Sequence, residues 1–308
     1  MSAPADQHVC TACGYNMIGP KPDTCPFCGT GPAAFLTDAA CGTRHRVTAS
    51  VVAPGIARLN SVPPLGIEHA AYRIEAHGAN VWIDCPSSFN ADAPAATVIA
   101  FTHKDFLGAS NQYRAAFGAE VWIHAADATH PLARPFPFDR RFEADFEAHG
   151  IAAKHIGGHS PGFTAYRFGD TLFACDLVFD RGARTRFNPY GQGARGAAEA
   201  ARRLLAWLGQ DELARVCGWN YVSAYAGWRD RVAALVERNG RPLDRGPPGP
   251  RAPELRRYIC NDCALVYDPV LGMPEDGIPP GTPFAEIPET WRCPDCRVTK
   301  ADFVALDP

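Results

Sequence analysis

Eight of the twelve cysteines fall in four C-x-x-C pairs, two toward each end of the chain: Cys10/Cys13 with Cys25/Cys28, and Cys260/Cys263 with Cys293/Cys296. Two such pairs converging on one point offer four thiolates in a tetrahedron, a soft donor set that suits iron or zinc. Short segments of this kind bury too little apolar surface to fold alone, so each end predicts a small unit folded around its metal. Disulfides are the competing use of paired cysteines. The N-terminal stretch MSAPADQHVC lacks the apolar core of a secretion signal, which points to a reducing compartment and therefore to metal.

With 308 residues and 46% hydrophobic content, the chain can bury a full-sized core and still carry satellites; two to three domains are expected. A formal net charge of -3 provides no basic patch for nucleic acid or an anionic membrane, while small polar or anionic ligands stay open. No stretch approaches the roughly 18 uninterrupted apolar residues of a membrane span. The expectation is a soluble cytoplasmic protein.

From Arg257 onward the chain reads RYICNDCALVYDPVLGMPEDGIPPGTPFAEIPETWRCPDCRVTKADF. Tyr258, Tyr267-Asp268-Pro269, Gly277-Ile278, Pro280-Gly281-Thr282, Phe284, Trp291, Cys293-Pro294, Lys300 and Phe303 give this segment, 257–308, a full-length resemblance to rubredoxin. That resemblance implies one iron on Cys260, Cys263, Cys293 and Cys296, cycling by single electrons. Tyr258, Tyr267, Phe284, Trp291 and Phe303 are the candidate aromatic cluster beside it. Family members usually place glycine directly after each second knuckle cysteine; here those positions hold Ala264 and Arg297. A side chain at positive φ costs on the order of 1 kcal/mol, so the knuckles should survive with altered potential or solvent access. A zinc ribbon without redox function is the alternative.

Residues 1–40 repeat the plan in shorter form, VCTACGYNMIGPKPDTCPFCGTGPAAF, and resemble the minimal rubredoxin-like module found at the end of rubrerythrins. Gly14 and Gly29 supply the knuckle glycines that the C-terminal copy lacks. Zinc ribbons share this spacing, so iron and zinc are both open for Cys10, Cys13, Cys25 and Cys28.

Between residues 45 and 240 the pattern changes. Tyr72–Glu75 and Ala79–Asp84 read as a hairpin, Ala96–Phe101 as a buried strand, and Glu120–His124 and Thr171–Cys175 as further strands. Helices are expected across Ala197–Leu208 and Arg229–Arg238, with a strand near Arg215–Val222. Hairpins that give way to strands interleaved with helices suggest sheets packed face to face with helices outside, an α/β fold. Val81-Trp82-Ile83-Asp84, Phe101-Thr102-His103, Gly158-His159-Ser160-Pro161-Gly162 and Leu172-Phe173-Ala174-Cys175-Asp176 make the segment resemble the metallo-β-lactamase superfamily and its αββα sandwich.

That family's two-metal motif is T-H-x-H-x-D-H, whereas this chain reads Thr102-His103-Lys104-Asp105-Phe106-Leu107-Gly108 and has no histidine after His159. A second metal would lack ligands, which argues against hydrolysis between two metals. What remains is His103, His159 and Asp176, with Asp105 as a fourth candidate. Two histidines and a carboxylate form the facial triad suited to mononuclear ferrous iron. Persulfide dioxygenases of this superfamily hold one iron at the matching positions. The competing readings are that His103 is a satisfied core histidine, that Asp105 caps a helix, and that Cys41, Cys85, Cys175 and Cys217 are buried apolar fillers. His124, His130, His149 and His155 match no family ligand position.

Residues 241–256, rich in proline, form an extended linker. The whole predicts an iron-dependent oxidoreductase, an oxygenase among its forms. Rubredoxin-type ends would carry electrons from or to a redox partner, such as a rubredoxin or ferredoxin reductase or a terminal oxidoreductase, and the central domain would bind a small-molecule substrate. The alternatives are an electron-transfer or metal-binding adaptor with a non-catalytic central scaffold, and a single-metal hydrolase. Flavodiiron-type reductases also combine this fold with rubredoxin, but they need two irons and a flavin domain, for which this chain has neither ligands nor length.

Overall fold

The computed structural model describes residues 6–182, 184–188, 193–240, 256–260 and 265–306. The chain sorts into two compact units, Met1–Lys21 with Phe35–Arg241, and Pro22–Ala34 with Pro242–Pro308. Cys263, Ala264 and the proline-rich 241–255 lie outside the described residues.

The first unit is built on two sheets. Strands Ala71–Ala76 and Ala79–Ile83 pair antiparallel through Ile74↔Val81 and Tyr72↔Ile83. His77 (φ 48°) and Gly78 (φ 79°) turn the chain between them, and positive φ at both loop residues matches the right-handed twist of the flanking strands. The sheet runs in the order 140–142, 120–124, 98–100, 79–83, 71–76, 56–62, 46–53. Its strands are parallel from 79–83 to 140–142 and antiparallel across the remainder. The second sheet has the order 146–148, 151–155, 164–168, 171–175, 215–218, 222–224.

Ile74, Val81, Ile83, Val98, Ala100 and Trp122 of the first sheet pack with Tyr166, Phe173 and Cys217 of the second in one apolar cluster. The first sheet also packs Trp82, Ile99, Phe101 and Ile123 with Tyr113 of the helix Ser110–Phe117. The second packs with the helices Gly193–Leu208 and Tyr225–Gly240 through Ala197, Ala201, Leu204, Trp228 and Val232. Side chains alternate across each strand, so each sheet has two apolar faces to cover and takes a partner sheet on one and helices on the other. The expected αββα arrangement is what forms. Of the bonds that cross between the sheets, two lie beside the site: Thr164 N donates to Thr102 O at 2.8 Å, and Tyr166 Oη donates to Phe101 O at 2.8 Å. His103 follows immediately.

Strands Gln7–Cys10, Asn16–Ile18 and Phe35–Thr37 make a small antiparallel sheet. Its first knuckle lies directly against the following domain. Ala12 O accepts from Ile67 N at 3.1 Å, and a Cβ at Gly66 (φ 50°) would fall 2.0 Å from that same oxygen. Val9, Cys41 and Leu65 share one apolar cluster.

In the second unit, Arg257–Cys260 pairs antiparallel with Val266–Tyr267 and with Phe303–Leu306. The predicted aromatic cluster assembles: Tyr258 stacks on Phe284 with centroids 4.1 Å apart, and Phe303 lies 5.3 Å from Phe284 and 5.4 Å from Trp291. Among the described residues, no helix is long and apolar enough to cross a membrane.

Candidate metal centre

His103 leaves the strand Val98–Ala100 after Phe101 and Thr102, His159 sits in the glycine-rich loop after Ile151–His155, and Asp176 follows the strand Thr171–Cys175. All three are buried, and each brings a ligand atom within 4.8 Å of the other two. Asp176 Oδ1 is 3.2 Å from His159 Nε2 and 3.7 Å from His103 Nε2. None of these three atoms has a hydrogen-bond partner, although each is out of contact with water. Burying one such atom unpaired costs about 1–3 kcal/mol, and here three lone-pair donors face one point. A cation at that point satisfies all of them, so the residues present fit a metal.

Other groups hold this set in place. Asp84, itself at φ 61°, accepts from the Thr102 backbone N–H and from its hydroxyl, both at 2.9 Å. The Thr102 hydroxyl oxygen then accepts from His103 Nδ1 at 3.0 Å. With its proton on Nδ1, His103 presents the Nε2 lone pair toward Asp176, as a ligating histidine must. Asn188 Nδ2 donates to Asp176 Oδ2 at 2.7 Å, which directs Oδ1 inward. Burial pushes the Asp84 carboxyl up to about 7, against the opposing pull of His103 and the Thr102 donors.

Asp105 lies beside the triad. Its Oδ2 is 3.3 Å from His103 Nε2 while Oδ1 takes the Lys104 ammonium at 2.6 Å, and the mutual grouping contains only His103, His159 and Asp176. Along the same loop, Leu107 is buried and Gly108 (φ 49°) packs so tightly that a Cβ would lie 2.3 Å from Cys85 O. Phe106 sits edge-on to His103 at 4.7 Å and stacks flat on His69 at 4.0 Å. An apolar wall thus borders the site.

Several participants were not found by sequence reasoning. Asn188 and Asp127 carry no local signature of their role. Cys175, expected as apolar filler, is buried at φ 51° in a polar setting, with its Sγ 3.0 Å from Thr102 Oγ1 and 3.8 Å from His103 Nδ1. His124 and His155 stack on one another, centroids 3.9 Å apart, and stand outside the triad.

Burial works against charge on His103, yet the carboxylates of Asp176, Asp105 and Asp84 outweigh it and raise the ring to about 9. A metal must displace that proton. Affinity at this site should therefore rise about tenfold per pH unit as the pH climbs toward about 9 and level off above. Competition with a chelator of known pH dependence measures this, and a flat profile would refute it.

Within the second unit, Cys260, Cys293 and Cys296 bring their sulfurs within 4.8 Å of one another. The knuckle turns share one geometry. Gly14, Gly29 and Arg297 stand at φ 77°, 73° and 69°, and each donates its N–H to the carbonyl of the first cysteine of its pair at 2.8–2.9 Å. Arg297 thus takes the left-handed conformation that glycine holds in the N-terminal copy.

The rubredoxin family model matches residues 257–303. Over 53 residues the chain is 51% identical to a probable rubredoxin of Methanothermobacter thermautotrophicus, covering 84% of that protein and 17% of this chain. It is 53% identical over 57 residues to probable rubredoxin-1 of Methanocaldococcus jannaschii, covering 71% of it and 18% of this chain. Among solved structures, the mono-zinc form of the metallo-β-lactamase FIM-1 from Pseudomonas aeruginosa aligns with a TM-score of 0.52 at 13% identity, over 72% of this chain and 100% of that one. The DIM-1 metallo-β-lactamase aligns with a TM-score of 0.51 at 12% identity, over 62% and 97%. At these identities the likeness establishes the fold alone. Joined to a metallo-β-lactamase fold, residues 257–303 carry an iron-binding, electron-transferring domain, and through them the chain belongs to the rubredoxin family.

Proposed function

We propose that the chain is an iron-dependent oxidoreductase, in which the rubredoxin domain exchanges single electrons with one iron held by His103, His159 and Asp176. The observation that carries this reading is the convergence of three buried, unpartnered donor atoms in a two-histidine, one-carboxylate set. Bound there, iron would supply one-electron chemistry and open coordination positions, and this donor set favours dioxygen as the small molecule activated. The protein's own part is to hold and exclude. Thr102 and Asn188 orient His103 and Asp176. Phe106 and Phe163 set ring edges against the histidines, with Phe163 5.5 Å from His159, and keep water from the site. The N-terminal four-cysteine site takes iron or zinc.

The test uses the full chain, purified anaerobically and analysed for metal, with the rubredoxin chromophore reduced chemically and then exposed to dioxygen. The reading expects iron at the central site and reoxidation of the chromophore that is slowed at least tenfold in His159→Ala. Equal reoxidation rates would leave the central domain a scaffold and favour an adaptor. Zinc at the central site after iron-replete expression would favour a hydrolase.

A further inference from the structure

The two histidine-bearing loops end on one carboxylate. Asp127 lies fully buried in the short helix Ala125–Ala128, which the strand Glu120–His124 delivers to the site. Its Oδ2 accepts from the backbone N–H of Lys104 at 3.1 Å and from the Ser160 hydroxyl at 2.8 Å, and its Oδ1 accepts from the backbone N–H of Gly162 at 2.8 Å. Lys104 directly follows His103, and Ser160 directly follows His159. We propose that Asp127 is the positioning residue that sets the spacing of His103 and His159, and through it the affinity of the central site for metal. The inference rests on the reading that this site binds a metal.

The loop sequence is built to meet that carboxylate. Gly162 does not need glycine for its φ; it needs it for space, because a Cβ there would stand 2.7 Å from Asp127 Cγ and 2.9 Å from its Cβ. Pro161 has no N–H to offer, so the two donors of the loop are its neighbours on either side. Each bond is to a charged acceptor in a dry setting, which makes it roughly twice as strong as a neutral one. The bond from Thr164 N to Thr102 O joins the underlying strand ends. Among the described residues, Asp127 is the carboxylate that bonds to the residues immediately after both histidines. A ligand set works when held to within about 0.5 Å, and this carboxylate fixes both loops from behind without touching a ligand atom.

Asp127→Asn keeps the size but turns one acceptor oxygen into an amide that faces an N–H or hydroxyl donor. In the full chain with its cysteine sites loaded, the dissociation constant of ferrous iron at the central site, read by chelator competition, should rise about 10–100-fold, as for other groups that orient ligands. The rubredoxin chromophore should be unchanged. Gly162→Ala attacks the same contact from the loop side and should act in the same direction, with the double variant less than additive. If Asp127→Asn does not fold, Ser160→Ala, which removes one of the three bonds, should still weaken iron binding several-fold. Unchanged affinity in the folded variants, with or without a lower Tm, overturns the proposal alone. A wild-type chain that binds no central metal overturns both this proposal and the functional reading beneath it.

Discussion

Cys293→Ser should bleach the rubredoxin colour and unfold the domain around it. Cys293 is fully buried within 4.8 Å of Cys260 and Cys296, in a domain whose remaining core is a handful of side chains such as Leu265, Tyr267, Ile278, Phe284 and Ile287. So small a core cannot offset the conformational entropy of its own chain. Structural zinc in zinc-finger peptides contributes on the order of 10–16 kcal/mol, and by the same coupling of metal binding to folding, replacing one thiolate here by a hydroxyl removes much of what holds the domain together. The variant should lose one iron per chain, lose its charge-transfer absorption, and become open to protease within residues 257–306. The melting transition of the central sandwich should persist. A Cys293→Ser protein with both its colour and its protease resistance intact would sink this account of the domain.

His159→Ala should produce the second large effect, and of a different kind. Neither ring nitrogen of His159 meets the geometry of a hydrogen bond, so the polar support the imidazole gives the fold is confined to its 3.2 Å approach to Asp176. Its removal should cost the packing against Phe163 and a small cavity, on the order of 1–3 kcal/mol. Metal affinity should fall by more than 100-fold, because a ligand is worth more than the groups that orient one. Calorimetric melts beside metal titrations read the two quantities separately. Large destabilisation with unchanged metal content would mark His159 as a structural residue.

The parts of the fold that were legible share a physical cause. Where both faces of a strand are buried, as at Glu120–His124 and Thr171–Cys175, the apolar run is unbroken and its bounds match the expectation. The strand Arg46–Ala53 has five exposed positions and shows no clean alternation, since it is the edge of its sheet and owes its conformation to pairing with Ile56–Val62. Strands of three residues, such as Arg140–Phe142 and Phe146–Ala148, are too short for any period to register. Within the candidate site, His103, His159 and Asp176 could be read because each stands in a local motif. Asp127 and Asn188 could not, because their roles depend on partners 23 to 35 residues and 12 residues away respectively. The left-handed backbone at Cys175 was likewise hidden. Nothing in the residue type announces it, and the thiol's polar neighbours come from Thr102 and Asp84 on the other sheet.

The first cysteine knuckle bears on how this protein can be taken apart. Gly66 presses against Ala12, Gly14 leaves no room for a side chain beside Ser87 and Glu68, and Leu65 is covered by Val9 and Cys41. Asn16 Nδ2 donates to Ser87 O at 2.8 Å, three residues past Asp84. A truncation that removes the first knuckle would therefore uncover apolar surface and strip donors from the segment that carries Asp84. For anyone trimming the chain to crystallise or repurpose the central domain, the N-terminal residues have to be kept with it as one expression unit.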